Sequence, residues 1–559
     1  MTRLLLLSLL LLAACSPPQA DIILLDGKVW IARESFAEAV AIRGNKIAAI
    51  GTSEEIKEYF GTSTRTIDLG GKLVIPGFND AHIHFLGGST GFLEVDIHSS
   101  VDGAGIVKTV NAFAAQHTEK PWITGRGWQY TWFPTGLPTS EDMTGMIEDR
   151  PVYLRSYDGH SAWANRKALE IAGVTQASKP TGAGQLVVDS KGVLTGALLE
   201  DAQDLVGNLV PEASREEKLA VLRNGLKLAA SLGLTSLQNA SGSLEELSLY
   251  EELAGANELT VRYSAALSVG ETTPPETIAA YNKKRAELAS HPLLRADAVK
   301  FMLDGVIESH TAAMLEPYAD MPESSGGFQI PLEVYKRLVT DLDGQGFRIY
   351  THGLGNRAVR EALNAYASAS GANGPRDRRH RIEHIENIHP DDINRFVQLG
   401  VLPSMEPIHA DPGPMAVWEK AVGPERLPWS FAWNSILSTG AMLVFSSDWP
   451  ACIDINPLRG IHVAVNRRTP DGFPPGGWVA AQRITLDQAL IAYTHAGAYS
   501  SFEEDMKGQI KNGYLADLVV LSDDLFQIDP MKIASCKVVM TIFDGKVIYG
   551  EQASEGSNL

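Results

Sequence analysis

Short apolar runs recur through the middle of the chain, and a segment with the spacing of an amphipathic helix follows most of them. This alternation is typical of a parallel β/α architecture. The runs that are candidates for barrel strands are 73–76, 234–237, 261–264, 298–303, 347–352, 381–384, 401–405 and 442–445. Because eight parallel strands close a β/α barrel, the pattern predicts an α/β protein with a (β/α)8 TIM-type barrel over residues 73–504.

A different pattern, of strands and tight turns, occurs at both ends of the chain. Apolar runs at 22–25, 39–42 and 46–50 are separated by Asp26-Gly27 and Gly44-Asn45, and the runs at 518–521 and 538–543 precede Asp544-Gly545. Such dipeptides are typical of hairpin turns. Neither end has enough apolar surface for a core of its own. We therefore expect residues 21–72 and 505–559 to pair into one small composite β-sandwich domain.

Residues from about 86 to 215 do not follow the strand-and-helix rhythm of the barrel. The segment is too long for one crossover between neighbouring strands. It therefore predicts a subdomain inserted after the first barrel strand.

Residues 1–20 have the pattern of an export signal with a short tether. Arg3 precedes the apolar run 4–12, which is too short to span a bilayer, and Leu12-Ala13-Ala14-Cys15 ends it. That tetrapeptide resembles the bacterial lipoprotein processing box. The resemblance implies that Cys15 is lipidated and that the exported protein is anchored by lipid to the cell envelope, facing the periplasm. The alternative is an ordinary secretory signal in which Cys15 has no role.

The charge and cysteine content exclude some partners. The 48 basic and 67 acidic residues give a net charge of -19, which argues against nucleic acid as a ligand. Apart from Cys15, the chain has only Cys452 and Cys536. Two distant cysteines are not a disulfide framework, so we interpret both as small buried residues.

Candidate metal ligands lie at or near the ends of the predicted strands. A barrel of parallel strands brings its strand ends to one face, so residues far apart in sequence become neighbours there. Histidine is the commonest metal ligand near neutral pH, and each candidate histidine could instead have a purely structural role. The predicted ligands are His82, His84, Lys300, His352, His384 and Asp448.

Lys300 and Asp448 have chemistry beyond metal binding. A lysine that points into a barrel is costly unless it is paired or modified, so Lys300 either pairs with an acid such as Asp304 or reacts with carbon dioxide to give a carbamate that bridges two cations. Asp448 could bind a cation and accept a proton from the water bound to it. Its structural alternative is a helix N-cap.

Taken together, the order His-x-His, Lys, His, His, Asp between two halves of a β domain resembles the amidohydrolase superfamily. Further motifs resemble its amidohydrolase 3 branch, which includes N-substituted formamide deformylases. The motifs are GRGWQYTWFP at 125–134, PVYLRSYDGHSAWANRKAL at 151–169, GLTSLQNA at 233–240, KFMLDGVIESHTAAMLEPY at 300–318 and HGLGNRAV at 352–359. In the last motif Asn356 replaces an Asp that is common in relatives, and we expect it to organise the loop.

The resemblance implies a role for each ligand. His82 and His84 would bind the more buried metal, a carboxylated Lys300 would bridge two metals, His352 and His384 would hold the second, and Asp448 would act as general base. The metal is expected to be Zn²⁺, as one or two ions. In the inserted subdomain, His160 and Trp128 are candidates for substrate contact, although Trp128 could equally be a core residue.

The expected activity is hydrolysis of a non-peptide carbon–nitrogen bond, in an amide, N-formyl group or cyclic amide, by metal-bound hydroxide. Ester or carbamate hydrolysis and deamination are alternatives on the same scaffold. A surface-anchored binding protein without catalysis is a further alternative. The expected partners are a small amide-type molecule, the membrane only through the lipid, and a second copy of the chain in a homodimer.

Overall fold

The computed structural model describes residues 19–550, apart from 33–34, 98–99, 135, 157–160, 181–183, 190 and 453. These residues form two compact units. The first unit comprises the chain up to His84 together with Leu226–Leu559, and the second is Phe85–Gly225. None of the helices in the described ranges is both long and apolar enough to cross a membrane.

The first unit begins with a four-stranded sheet. Its strand order is β5-β4-β1-β6, and the β4–β5 hairpin turns at Gly44-Asn45 as predicted. Asp26-Gly27 is not a hairpin turn, because the strands on its two sides, β1 and β2, belong to different sheets. The elements of this segment are β1 (Ile22–Leu25), β2 (Lys28–Ala32), β3 (Ser35–Ala37), β4 (Ala39–Arg43), β5 (Lys46–Gly51), α1 (Ser53–Lys57), β6 (Arg65–Asp68) and β7 (Leu73–Pro76).

The first barrel strand is β8 (Phe78–Ile83), and this corrects the prediction that residues 73–76 form it. The run 73–76 is β7, a fully buried strand of the second small sheet. The chain passes between the two strands at Gly77, where a Cβ atom would lie 2.1 Å from Thr235 Oγ1. Only glycine allows so close an approach between backbone and side chain.

The second unit is built on a six-stranded mixed sheet with the order β13-β14-β12-β11-β10-β9. Its bounds, Phe85–Gly225, lie within ten residues of the predicted insertion at 86–215. Its elements are α2 (Phe85–Thr90), β9 (Val95–Asp96), α3 (Gly103–Gln116), β10 (Ile123–Trp128), β11 (Val152–Ser156), β12 (Ser161–Ala164), α4 (Arg166–Ile171), β13 (Gln185–Val188), β14 (Leu194–Leu199) and α5 (Asp204–Gly207); α6 (Arg215–Ser231) leads back to the first unit.

The barrel is an eight-stranded sheet in which β8 and β15 to β21 are neighbours in chain order. Every hydrogen-bonded pair is parallel, which confirms the predicted architecture. The remaining strands are β15 (Leu234–Gly242), β16 (Arg262–Ser268), β17 (Leu294–Met302), β18 (Arg348–Gly353), β19 (Arg381–His384), β20 (Leu402–Met405) and β21 (Val444–Phe445).

Helices follow the barrel strands and cover them. They are α7 (Leu244–Gly255), α8 (Pro275–Glu287), α9 (Leu332–Gly344), α10 (Asn356–Asn373), α11 (Pro390–Ile393), α12 (Arg395–Leu399), α13 (Ala416–Val422), α14 (Trp433–Leu437), α15 (Pro457–Asn466), α16 (Leu486–Ala492) and α17 (His495–Ser500). Their starts follow local rules: the Ser243 side chain caps α7, and Thr485 with Gln488 forms a capping box on α16.

The C-terminal strands complete the small domain. They are β22 (Leu518–Leu521), β23 (Val538–Phe543) and β24 (Lys546–Tyr549), and Asp544-Gly545 turns the β23–β24 hairpin. Together with three N-terminal strands they form a sheet of order β24-β23-β22-β7-β2-β3. Leu24 and Val40 of the four-stranded sheet share one apolar core with Val29 and Leu518 of this sheet. Both chain ends therefore build one two-sheet domain.

Candidate metal centre

All six predicted ligands lie at the carboxyl ends of barrel strands. His82 is in β8 and His84 follows it, Lys300 and His352 are in β17 and β18, His384 ends β19, and Asp448 comes three residues after β21. In the parallel register His352 is opposite Met302, and His384 is opposite Gly353. The ligand candidates of neighbouring strands therefore lie side by side at the same end of the barrel.

Backbone hydrogen bonds join the ends of the first and last barrel strands at the ligand residues. The Asp448 N–H donates to the carbonyl of His82 at 2.8 Å, and the His84 N–H donates to the carbonyl of Trp449 at 2.9 Å. The buried carboxyl of Asp80 also accepts from the Ser447 N–H at 3.1 Å. Burial raises the pKa of Asp80 to about 7. This closure holds the His-x-His pair against Asp448.

Asp448 is at the centre of the cluster. Its Oδ1 lies 3.1 Å from His84 Nε2 and 3.4 Å from His82 Nε2, and its Oδ2 lies 3.9 Å from His384 Nδ1. The His384 ring centroid is 4.7 Å from that of His82 and 4.6 Å from that of His352. Four histidines from three strands therefore converge with one carboxylate in a buried space.

Carboxylates behind the histidines fix the direction of the imidazoles. His82 Nδ1 lies 2.7 Å from Glu383 Oε2, and His384 Nδ1 lies 2.8 Å from Glu406 Oε2. The other carboxylate oxygen of Glu406 accepts a hydrogen bond from Ser446 at 2.9 Å. A carboxylate on Nδ1 selects the tautomer in which Nε2 carries a lone pair for a metal. This arrangement is therefore typical of metal-binding histidines.

Charged groups in the site shift one another's pKa values. Burial and the Lys300 cation oppose protonation of His82, but the Asp448 and Glu383 carboxylates outweigh them and raise its pKa. For Glu383, burial is outweighed by Arg381 and His82, which hold its pKa well below the usual range. Glu383 is therefore anionic at neutral pH.

Lys300 is buried, with 2% of its surface exposed. Asp304, its candidate partner, instead accepts three backbone N–H groups, from Ala313, Leu354 and Gly355, at 2.9 to 3.1 Å. Among the described residues no carboxylate lies within salt-bridge distance of the Lys300 amine. Burial lowers the pKa of Lys300 despite the nearby Glu383, Asp448 and Glu406 carboxylates. A lowered pKa favours the neutral amine, which is the form that reacts with carbon dioxide.

The residues present fit a divalent cation. His82 Nε2 and Asp448 Oδ1 are fully buried and have no hydrogen-bond partner. Orphaned buried polar atoms are costly, and a metal ion would satisfy both. One nitrogen or oxygen from each of His82, His384 and Asp448 falls within a 4.8 Å cluster. This nitrogen-and-oxygen donor set, rather than a closed cysteine shell, is typical of catalytic sites.

Two other predicted site residues lie outside the described parts of the chain, namely His160 and the lipidation candidate Cys15. Trp128 is in the core of the second unit, fully buried, and its Nε1–H donates to the carbonyl of Leu154 at 2.9 Å. This position agrees with the core alternative, because it leaves Trp128 no exposed surface for a substrate. Asn356 organises its loop as expected: its side chain accepts from the Leu315 N–H and donates to Asn387.

Sequence reasoning missed His409 and three glutamates. His409 Nε2 lies 3.5 Å from Asp448 Oδ2, and Glu386 holds His409 Nδ1 at 3.2 Å. The sequence does contain an indication of these residues. Glu383 and Glu386 flank His384 in RIEHIE, and Glu406 and His409 follow β20 in SMEPIHA. The strand-end argument, applied to the residues in and after β19 and β20, would have made all four candidates.

Cys452 differs from the prediction of a small buried residue. Both it and Cys536 are free thiols, but only Cys536 is buried. Cys452 is partly exposed in the loop after Asp448, and its side chain lies next to the His409 imidazole.

Comparison with known proteins agrees with this fold. The model of the amidohydrolase family matches residues 65–549. The chain is 30% identical to Protein LONG AFTER FAR-RED 3 of Arabidopsis thaliana, over 96% of this chain and 94% of that protein. It is 25% identical to the N-substituted formamide deformylase of Arthrobacter pascens, over 94% of this chain and 97% of that enzyme.

Among solved structures, an uncharacterized metal-dependent hydrolase from Pyrococcus furiosus superposes with a TM-score of 0.71 and 26% identity, over 91% of this chain and all of that one. The chain thus belongs to the amidohydrolase family and is a metal-dependent hydrolase.

Proposed function

We propose that this enzyme hydrolyses a carbon–nitrogen bond other than a peptide bond, in an amide, N-formyl group or cyclic amide. The observation that carries the proposal is the position of Asp448, whose Oδ1 faces the His82 and His84 nitrogens while the whole carboxylate lies at the mouth of the barrel. The similarity to an N-substituted formamide deformylase favours amides over other substrates.

A divalent cation, which the nitrogen and oxygen donors suggest is Zn²⁺, would polarise the substrate carbonyl and make a water molecule acidic enough to lose its proton near neutral pH. His82, His84 and His384 would hold the cation. Asp448 would accept the water proton on a carboxylate oxygen and return it to the leaving nitrogen. Glu383 and Glu406 would keep the imidazoles oriented throughout.

Lys300 is proposed to be carboxylated. Its burial without a salt bridge to any described carboxylate leaves the amine free to react, and the carbamate would supply an anionic oxygen between two cation positions. His352 would then complete the second position. Its Nε2 lies 3.3 Å from the carbonyl of Gly305, which leaves Nδ1 as the ligand atom.

The test uses a matched pair of substrates. Mature protein loaded with Zn²⁺ in bicarbonate buffer would be offered N-benzylformamide and benzyl formate, which differ only in the atom that leaves. We expect the amide to be hydrolysed with the larger kcat/KM. We expect Asp448→Asn to lower kcat by roughly 10²- to 10⁴-fold, because the general base is lost.

Other results of this test would indicate a different reaction. Preference for benzyl formate would indicate an esterase, and ammonia release from an amidine would indicate a deaminase. If a panel of amides, esters and amidines gave no turnover by a protein shown to contain metal, the catalytic proposal would be wrong and a binding role would replace it.

A further inference from the structure

Met302 ends strand β17 at the same end of the barrel as the proposed metal ligands. The ring of the preceding residue, Phe301, contacts Tyr335 of α9 outside the barrel, with the ring centroids 5.4 Å apart. Because successive side chains of a strand point to opposite faces, Lys300 and Met302 both point into the barrel. Lys300 is 2% exposed and Met302 is 41% exposed. Met302 therefore forms the layer above the Lys300 amine, towards the open end of the barrel.

Met302 is also the cross-strand neighbour of a proposed metal ligand. In the parallel register it is directly opposite His352 of β18. The hydroxyl of Thr351 forms hydrogen bonds with Tyr335 of α9 and Tyr366 of α10, outside the barrel, so His352 points inwards as Met302 does. Neighbouring strands are about 4.8 Å apart. The Met302 side chain therefore lies beside the imidazole that is proposed to complete the second cation position.

A second exposed apolar residue follows in the loop after β17. The carbonyl of Gly305 lies 3.3 Å from His352 Nε2, and the next residue, Val306, is 40% exposed. Substrate pockets are lined mostly by apolar side chains, with a few polar groups that fix the orientation of the ligand. Met302 and Val306 give this side of the metal centre an apolar surface of that kind.

This apolar surface is across the barrel from Asp448. The barrel strands are neighbours in chain order, β17 is the fourth and β21 the eighth, and the Asp448 N–H closes the ring by donating to the carbonyl of His82 at the end of β8. In the proposed function Asp448 returns a proton to the leaving nitrogen, which puts that nitrogen on the Asp448 side. The acyl group, on the other side of the carbonyl carbon, then extends towards Met302.

We propose that Met302, supported by Val306, contacts an apolar acyl group of the substrate, so that the enzyme favours amides with an alkyl or aryl group on the carbonyl carbon. The inference rests on the proposed function for the position of the leaving nitrogen. Methionine is flexible and polarisable, so it adapts to apolar groups of different shapes. The preference is therefore expected to follow the apolar area of the acyl group rather than one particular shape.

The test uses two isomeric amides, N-methylhexanamide and N-hexylformamide, which carry their long alkyl chain on opposite sides of the amide. Zinc-loaded mature protein would be compared with Met302→Gln, which keeps the length of the side chain and makes its end polar. We expect the KM for N-methylhexanamide to rise about 10-fold, the equivalent of one to two methylene groups that are no longer buried. Its kcat should change little, because the contact is present in the bound substrate and in the transition state alike. The KM for N-hexylformamide should change much less, because its chain extends away from Met302.

Met506→Gln is the matched control. Met506 is 42% exposed, close to the value for Met302, and it lies at the opposite end of the barrel, where the adjacent Lys507 donates to Ser236 near the start of β15. This variant should leave the KM of both isomers unchanged. Met302→Leu retains an apolar contact and should keep most of the wild-type preference. Val306→Thr should raise the KM for N-methylhexanamide by a smaller factor than Met302→Gln.

An equal rise in KM for both isomers, or a rise for N-hexylformamide alone, would overturn the inference. Equal effects of Met302→Gln and Met506→Gln would also overturn it. Circular dichroism of each variant establishes that it is folded.

A binding measurement separates this inference from the proposed function. If the wild type hydrolysed no amide, the proposed function would be wrong, and calorimetric titration of the zinc protein with hexanohydroxamate and acetohydroxamate would test the apolar contact without turnover. A wild-type preference for hexanohydroxamate that Met302→Gln reduces about 10-fold would support the contact. The same affinity ratio in both proteins, or no binding of either probe, would overturn it.

Discussion

Arg381 holds Glu383 in a two-point ion pair within the barrel. The Arg381 Nε donates to Glu383 Oε1 at 2.8 Å and Nη2 donates to Oε2 at 3.0 Å, and both side chains are fully buried. Arg381 also donates to the carbonyl of Ala81 and to Gln238, and its guanidinium lies 3.7 Å from the ring centroid of Tyr350. Because Glu383 in turn fixes His82, this pair connects the barrel core to the metal centre.

Replacing Arg381 by Met is expected to lower both the stability of the protein and its affinity for metal. The change would leave Glu383 buried without its counter-ion, and breaking a buried pair in this way costs about 3–5 kcal/mol. The loss of a group that orients a ligand lowers metal affinity by roughly 10- to 100-fold. Urea unfolding of the metal-free protein and a zinc titration would measure the two effects separately.

Arg166→Met is the matched control for that experiment. Arg166 pairs with Glu170 on an exposed helix surface, with 86% of the Arg side chain accessible. Such pairs contribute about 0.3–0.5 kcal/mol. If the two arginine variants were destabilised equally, the buried Arg381–Glu383 pair would contribute no more to stability than an exposed pair.

Trp128→Phe is expected to destabilise the protein without changing the KM of any substrate. The substitution removes the hydrogen bond to the Leu154 carbonyl and leaves a space in the core of the second unit. A buried unsatisfied carbonyl and a lost ring together should cost about 1–4 kcal/mol. Thermal unfolding and steady-state kinetics would check this. A several-fold rise in KM at unchanged stability would favour the substrate-contact alternative instead.

Cys15→Ser is expected to abolish lipid attachment. The Leu-Ala-Ala-Cys segment supports the proposal that this cysteine carries the anchor of an exported protein facing the periplasm. Expression in a bacterium grown with labelled palmitate should label the wild type and not the variant, and only the wild type should sediment with membranes. Label that persists in Cys15→Ser would place the lipid elsewhere or exclude this anchor, and Cys536→Ser is the control.

Much of the barrel could be predicted because apolar strands alternate with helices, and the site could be predicted because its ligands end those strands. The first strand was misassigned for a physical reason. β7 is uniformly apolar because both faces are buried in the small domain, whereas β8 contains the polar residues Asn79, Asp80 and His82, which are also buried, and its sequence resembles that of a loop. A strand that lines a polar centre does not have an apolar pattern.

His409 illustrates a second limit on what the sequence can predict. A single histidine after a strand is most often structural, and only its neighbours distinguish it from an ordinary one. The strand ends make Glu386 and His409 candidates, but Trp418 comes from α13, and no spacing in the sequence predicts that these three side chains meet. Tertiary structure alone assembles this part of the centre.

The pH dependence of stability can be tested at Glu503, away from the metal ligands. Burial opposes its ionisation, but Lys507 and Arg295 outweigh burial and lower the pKa of Glu503 to about 2. Its unfolded-state pKa is about 4.3. Because the folded-state value is the lower one, the stabilisation is fully present above the unfolded-state pKa and is lost as the pH falls from about 4.3 towards 2.

Glu503→Gln should therefore be less stable than the wild type at pH 6, by an amount on the order of 3 kcal/mol. The difference should narrow progressively between pH 5 and about pH 2, since the wild type alone loses a favourable term there. Urea unfolding of both proteins in EDTA across this range excludes any contribution from bound metal. A difference that stayed constant with pH would show that Glu503 contributes through packing rather than through its charge.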